Sequence, residues 1–290
     1  MKKLIALLLA LAMVFAFAAC ANSDKDTPAP SSGSNLTNAT PNAEPSTQPS
    51  DEPSTQTDME YVKQKGTLIV GVTNFAPMDY PDASGEWIGF DADMAKAFAA
   101  HLGVEVVFQE IDWDNKVFEL DGKTIDAVWN GMTLTDAVKA AMECSNAYCN
   151  NAQVVIVNAD VADQYQTVES LSGLSFAVEA GSAGQEQADA NSLTYIEVLD
   201  QATALLEVKS GTADAAIIDS LMAGAMVGEG TDYANLTYTV GLNSEEYGVG
   251  FRKGSDLAAE LNAFFAAAYA DGSMQACAET YGVQAALIAQ

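Results

Sequence analysis

Gly66-Thr67-Leu68-Ile69-Val70-Gly71-Val72 is the stretch that decides the fold, because its short apolar run is typical of a strand buried on both faces. An amphipathic helix is predicted to follow, with Asp91 as its N-cap and Gly103 just past its end. Its apolar residues recur every four positions, at Met94, Phe98 and Leu102. Residues 104–108, apolar except for Glu105, predict the next strand. This strand–helix–strand order predicts an α/β fold.

The same alternation continues along the chain. Further short apolar runs predict buried strands at 125–129, 154–157, 174–178 and 215–218. Ser255 is a candidate N-cap for a last long helix, with Gly272 past its end. Strands separated by helices predict parallel sheets.

Two segments of the chain echo each other, 120–128 and 208–216, since each passes from a glycine turn into an Asp-Ala-apolar strand. Two similar lobes would bring strand ends towards a common crevice, where α/β sheets bind ligands. Residues 130–133 and 219–220 are then the candidate edges of a site. The alternative is that both segments are ordinary helix–turn–strand connections of an α/β fold and not a repeat.

Composition excludes several classes of function. The 290 residues include 12 Lys+Arg against 40 Asp+Glu, for a net charge of −28. With Arg252 as the single arginine, the chain lacks the basic clusters that hold nucleic acid, so we expect no nucleic-acid partner. The single histidine, His101, excludes multi-histidine metal sites, and we predict neither a metal nor a cofactor. No P-loop or Gly-x-Ser-x-Gly motif is present, so catalytic residues are not predicted.

The N-terminus predicts export. Lys2 and Lys3 precede an apolar run, and residues 17–20, Phe-Ala-Ala-Cys, resemble a bacterial lipobox. We therefore predict a signal peptide over 1–19 and lipidation of Cys20, which would anchor the protein to the outer face of the cell membrane. An ordinary signal peptide with a chance cysteine is the alternative. Residues 20–57, with six prolines among Ser, Thr and Asn, predict a disordered tether.

The remainder resembles the family 3 solute-binding proteins of bacterial ABC transporters, which bind polar amino acids. The order and spacing of its motifs carry the resemblance: 66–71, 74–77, 89–91, 112–114, 126–135, 178–182, 214–219, 247–253 and 270–272. The resemblance implies a two-lobed periplasmic-binding-protein-like fold of type II with two hinge crossings. Lobe 1 is predicted over 58–152 plus 246–290, and lobe 2 over 153–245. It also implies capture of an amino acid or small amine-bearing solute and its delivery to an ABC permease and ATPase complex.

The same resemblance assigns the site. Phe75 and Trp113 are aromatic walls around a ligand side chain. Gly131 and Thr133, beside Asn130, supply donors to a ligand carboxylate. Ser182 and Ala183 begin a helix in the second lobe that meets the same carboxylate. Asp219 receives the ligand's amino group, and Glu179 is a further ligand-contacting position.

Two positions depart from the family pattern. Val138 stands where the family has an arginine that grips the α-carboxylate, and Ala183 stands where it usually has a threonine. A register shift that brings Lys139 into the arginine position is the alternative. Glu179 and Asp219 would otherwise face the ligand with no opposing basic residue. These departures favour a cationic ligand, while an amino acid held by backbone amides remains the alternative.

Cysteines and rival functions complete the expectations. Cys144 and Cys149 are expected to be core cysteines, with a disulfide as the alternative, and Cys277 is also assigned to the core. A surface lipoprotein of this fold that has lost ligand binding is the first rival function. A dehydratase-like enzyme is the second, although its carboxylate-binding basic residues are missing here.

Overall fold

The computed structural model describes residues 56–290. The predicted signal peptide, the lipidation site Cys20 and nearly all of the tether lie outside these residues.

The described chain alternates helices and strands. The α-helices are α1 (Asp58–Lys65), α2 (Phe90–Leu102), α3 (Lys116–Asp121), α4 (Asp136–Ala141), α5 (Ala183–Ala190), α6 (Gln201–Ser210), α7 (Ser220–Met226), α8 (Leu257–Ala270) and α9 (Ser273–Tyr281). The strands are β1 (Thr67–Val72), β2 (Tyr80–Pro81), β3 (Trp87–Ile88), β4 (Glu105–Glu110), β5 (Ala127–Thr133), β6 (Glu143–Cys144), β7 (Cys149–Asn151), β8 (Gln153–Asn158), β9 (Ser175–Glu179), β10 (Thr194–Val198), β11 (Ala215–Asp219), β12 (Leu236–Gly241) and β13 (Glu245–Phe251). Three short 3₁₀ helices occupy Trp113–Asn115, Ala159–Gln164 and Val168–Leu171.

Two sheets form the cores of two lobes. The first has the order β4-β1-β5-β13-β6, with β7 paired to β13, and the second has the order β10-β9-β11-β8-β12. β1, β4 and β5 are parallel, as are β9, β10 and β11. β13 runs antiparallel to β5, and β8 runs antiparallel to β11. The predicted parallel pairing holds for β1, β4 and β5 and for β9 and β11, and both sheets are mixed because β8 and β13 run in the opposite direction.

The chain passes between the sheets twice. β7 belongs to the first sheet and β8 to the second, so one passage lies at residue 152. The second passage lies between β12 and β13, at residues 242–244. The predicted crossings at 153–154 and 246–247 are close to these passages. The lobe boundaries themselves stay a prediction.

One predicted cap was wrong. α2 begins at Phe90 after Gly89, and Asp91 makes no capping bond. The Asp91 carboxylate is buried and accepts hydrogen bonds from the Gly131 amide (2.7 Å) and the Tyr148 hydroxyl (2.6 Å). Gly103 ends the helix in the left-handed conformation, as predicted.

The last long helix begins one residue later than predicted, at Leu257, although the Ser255 hydroxyl still accepts the Leu257 amide (3.3 Å). The three cysteines of the described chain are free; Cys149 is buried, while Cys144 and Cys277 are half-buried. The alternative of a disulfide between 144 and 149 is therefore not found. Within residues 56–290, no helix has the length and apolarity needed to cross a bilayer.

Candidate functional site

A cleft between the two lobes brings the predicted site together. It holds about 430 Å³ of empty space, including the part open to solvent. All nine predicted ligand-binding residues line it: Phe75, Trp113, Asn130, Gly131, Thr133, Glu179, Ser182, Ala183 and Asp219.

Phe75 and Gly131 form one wall by close packing. Gly131 has φ +55°, and a Cβ there would lie 2.2 Å from the Phe75 ring, so no other residue fits without displacing the aromatic side chain. The Phe75 ring also meets Tyr247 edge-on. Because the Gly131 amide already donates to Asp91, it is not free to bind a ligand carboxylate in this structure. The Asp91 carboxylate thus takes the place that was predicted for the ligand carboxylate at this amide.

Trp113 and Lys116 bring the two lobes into contact. The Lys116 ammonium donates to the carbonyl of Trp113 (3.1 Å) and, across the cleft, to the carbonyl of Gly181 (2.9 Å). It also stands over the Trp113 ring, 4.9 Å from the centroid. Gly181 has φ +69°, and a Cβ there would lie 2.8 Å from Asp114. The lobes therefore meet closely at this point.

Asp219 is held entirely by protein donors. Its side chain is 3% exposed, and its carboxylate accepts from Asn151 Nδ2, Gln201 Nε2 and the Tyr247 hydroxyl (2.6 Å). Burial raises the pKa of Asp219, as does the nearby Glu245 charge, while the bonds from Tyr247 and Gln201 oppose the rise. The carboxylate that resembles the family's amino-group acceptor already has a full set of partners.

Glu179, unlike Asp219, lacks a full set of hydrogen-bond donors from the described residues of the protein. Its side chain is 3% exposed, yet its Oε1 has no hydrogen-bond partner among the described residues, and its Oε2 receives a long contact from Gln201 (3.5 Å). Burial, then the charges of Asp219 and Asp200, raise the pKa of Glu179 to about 8. An unpaired buried acceptor costs free energy that a ligand donor would recover. Glu179 is therefore the open acceptor of the cleft.

Thr133 lies where the cleft meets the lobe crossings. Its hydroxyl donates to Glu245 Oε1 (2.8 Å), which also accepts from Asn151 (2.6 Å) and Gln153 (2.8 Å). The Asn151 amide thus bonds both Glu245 and Asp219. Because the Thr133 hydroxyl is engaged here, its predicted donation to a ligand requires this network to rearrange.

The N-terminus of α5 opens onto the second-lobe wall. Ser182 caps the helix through its hydroxyl, which accepts from the Gln185 amide (3.1 Å). The amides of Ala183 and Gly184, in the first turn, have no carbonyl to bond inside the helix. They supply the positive end of the helix dipole to the cleft.

The position without arginine is apolar in the structure as well. Val138 lines the cleft, whereas Lys139 lines a neighbouring depression, so the register-shift alternative is not found. Arg252 lies elsewhere and bonds Asp58 (2.9 Å) and Asp126 (3.2 Å), as its exclusion from the site predicted.

Four lining residues escaped the sequence reasoning: Thr73, Lys116, Glu186 and Gln201. Lys116 matters most, because the expectation of no opposing basic residue was wrong. Its signal was its place three residues after Trp113, which aims both side chains at one region when a helical turn intervenes. Gln201 gave no signal, since it is the first residue of α6, far along the chain from the other residues of the cleft.

The site is built for binding a polar molecule. Its second-lobe face carries a helix N-terminus and three carboxylates, those of Glu179, Glu186 and Asp219, and its first-lobe face carries aromatic rings and an ammonium. Within the described part of the chain, no cluster of His, Cys, Asp and Glu is arranged to hold a metal ion.

Comparison with known proteins gives consistent results. Residues 68–284 match the family described as bacterial extracellular solute-binding proteins, family 3. The L-cystine-binding protein of Escherichia coli is 30% identical over 225 residues, which cover 76% of this chain and 84% of that protein. The arginine-binding extracellular protein of Bacillus subtilis is 29% identical over 205 residues, covering 68% of this chain and 79% of that protein.

A solved structure agrees with these relatives. The substrate-binding protein of an ABC uptake transporter from Streptococcus pneumoniae, with bound histidine, superposes with a TM-score of 0.73. It is 29% identical and covers 79% of this chain and 98% of its own. The predicted two-lobed α/β fold is thereby confirmed.

Proposed function

This chain belongs to the bacterial extracellular solute-binding proteins, family 3, and from that membership we propose that it captures an amino acid or small amine-bearing solute between its lobes for an ABC importer. Its relatives are binding proteins, and this chain is a binding protein rather than an enzyme. The dehydratase-like alternative is accordingly set aside.

The observation that carries the proposal is the open acceptor in the cleft. Glu179 Oε1 is buried without a partner on a surface shared with Asp219. A ligand ammonium placed there gains a charge-assisted hydrogen bond and relieves an unpaired buried acceptor. We assign the amino group of the solute to the Glu179 side of the cleft, with Asp219 close behind it.

The aromatic walls give the rest of the recognition. Phe75 and Trp113 enclose the ligand side chain, with Asn130 and Ser182 as polar neighbours. The cation–π attraction expected for a cationic side chain, about 0.5–2 kcal/mol, is weakened at Trp113 because Lys116 already stands over that ring. A purely cationic ligand is thus less favoured than the sequence alone suggested.

A thermal-shift screen of amino acids against simple amines tests the function. A solute at 100 times its dissociation constant adds about 2.7 kcal/mol to the free energy of unfolding, which raises the melting temperature by at least about 5 °C. Small-angle scattering at saturating solute should show a smaller radius of gyration. A protein stabilised by no member of either panel would instead be the surface lipoprotein that has lost ligand binding.

The anchor and transporter belong to the same proposal. The lipobox-like residues 17–20 support lipidation of Cys20, and the proline-rich stretch after it supports a tether long enough to reach an ABC permease and ATPase complex. Cys20→Ser should release the protein into the medium with its melting temperature unchanged. Unaltered membrane fractionation would contradict the anchor and leave the binding function standing.

A further inference from the structure

We propose that Lys116 binds a carboxylate of the ligand and so performs the task that an arginine at residue 138 performs in the family pattern. This inference rests on the proposed function and narrows it: the solute carries a carboxylate as well as an amino group, as an amino acid does.

First, Lys116 carries a buried charge that is not paired with a carboxylate among the described residues. Its side chain is 8% exposed, and its ammonium donates to two carbonyls, those of Trp113 and Gly181. Among the described residues, no carboxylate lies close enough to form an ion pair with it. A buried charge normally has an opposite charge beside it, because desolvation is costly otherwise. An incoming anion would supply that charge.

The second step is what surrounds the ammonium. Gly181 lies directly before Ser182, the N-cap of α5, so the ammonium adjoins the start of that helix. The unpaired first-turn amides of Ala183 and Gly184 favour an anion at the same place. Lys116 provides one charged donor and the helix provides neutral ones, which together suit the two oxygens of a carboxylate.

The third step is the geometry of closure. Lys116 begins α3 in the first lobe, and Gly181 follows β9 in the second. Since the ammonium bonds carbonyls from both lobes, it reaches this position when the lobes meet. Burial lowers the pKa of Lys116, and the nearby acids Glu179, Asp114 and Glu186, none of them bonded to its ammonium, oppose that shift. A ligand with an ammonium and a carboxylate can supply a donor to Glu179 and an anion to Lys116 at once.

Isothermal titration calorimetry with matched ligand pairs tests this assignment. The probes are the twenty amino acids and the amines formed from them by decarboxylation, such as arginine with agmatine and histidine with histamine. The wild type should prefer the amino acid of a pair. Lys116→Met should lose at least about tenfold in affinity for the amino acid and keep its affinity for the amine. Lys116→Arg should retain the preference, and Val138→Arg added to Lys116→Met should restore it.

The outcomes separate the possibilities. Equal losses for amino acid and amine in Lys116→Met would show that Lys116 merely joins the lobes, and they would overturn the assignment. So would a Lys116→Met protein that binds amino acids normally. A wild type that binds amines and no amino acids would also overturn it, while leaving solute capture intact. A wild type that binds neither panel would contradict the proposed function itself.

Discussion

Arg252 and Lys116 are equally buried cations, each 8% exposed, in two regions that treat their charge differently. Arg252 directly follows β13 of the first sheet, where Asp58 and Asp126 pair with it and the carbonyls of Leu120 and Ile125 accept further hydrogen bonds from it. Lys116 lies in the cleft with carbonyl partners and no paired carboxylate among the described residues. The fully paired cation holds the fold, and the incompletely paired one is available to a ligand.

The same contrast separates two carboxylates of the cleft. Asp219 accepts from Asn151, Gln201 and Tyr247, whereas Glu179 leaves one oxygen without a partner. A resemblance at the level of residue types points first to Asp219. The hydrogen bonds point to Glu179 as the more open acceptor. Pairing within the protein is therefore the observation that distinguishes a supporting charge from a recognising one.

Removing the paired cation should have the largest effect. Arg252→Met removes the guanidinium from Asp58 and from the buried Asp126, but Lys65 still pairs with Asp126 (2.5 Å), so the cost is about 3 kcal/mol and the melting temperature falls by roughly 9 °C. Circular dichroism during heating measures it, with the exposed Lys63→Met as the control. A melting temperature unchanged in Arg252→Met would remove the contrast between the two regions.

The next effect concerns the pH dependence of stability. Burial raises the pKa of Glu179 to about 8 in the folded protein, so the folded state holds a proton there that the unfolded state loses at lower pH. The unliganded protein should therefore lose stability as the pH rises from 5 to 8.5. Glu179→Gln should lose less across that range, by more than about 2 kcal/mol. Denaturant titration at both pH values measures the difference.

The matched control for this prediction is Glu186→Gln, since Glu186 is exposed on the same wall of the cleft. Its pH dependence should follow that of the wild type, because the other buried acids remain in both proteins. Parallel curves for Glu179→Gln and the wild type would mean that Glu179 is not the unpaired acid of the cleft.

Asp219→Asn should weaken solute binding by more than tenfold. Asp219 lies behind Glu179, and the substitution keeps the shape of its side chain but removes a negative charge near the ligand's amino group, a loss above about 1.4 kcal/mol. Titration calorimetry measures it, with the exposed Asp214→Asn as the control. A loss below threefold would confine Asp219 to supporting Tyr247 and the lobe crossing.

The smallest expected effect is on the unliganded stability of Lys116→Met. Loss of two hydrogen bonds to carbonyls opposes the relief of an unpaired buried charge, so the free energy of unfolding should change by less than about 1 kcal/mol. The melting temperature should then shift by less than about 4 °C. A drop as large as that of Arg252→Met would make Lys116 a structural cation.

The sequence predicted the strands β1, β4, β5, β8, β9 and β11, because buried strands leave a local apolar pattern, but it did not predict β10, β12 or β13. Strand positions follow apolar runs, and the ends of β5, β9 and β11 carry the predicted polar residues. The sequence did not predict which of these polar groups are hydrogen-bonded within the protein. Whether the Gly131 amide is free depends on Asp91, forty residues away, and whether Glu179 is paired depends on Gln201 at the start of α6. Hydrogen bonds between distant segments leave no periodicity in a sequence.

At Gly181, the absence of a single side-chain carbon allows the two lobes to meet. Its backbone occupies a conformation that side chains disfavour, and the space where a Cβ would stand is already filled by Asp114 of the opposite lobe. A methyl group added at residue 181 would clash with Asp114 and keep the two lobes apart, whether or not a solute is bound. A transporter that recognises the closed form alone would not engage such a protein, even though every side chain that contacts the solute is in place.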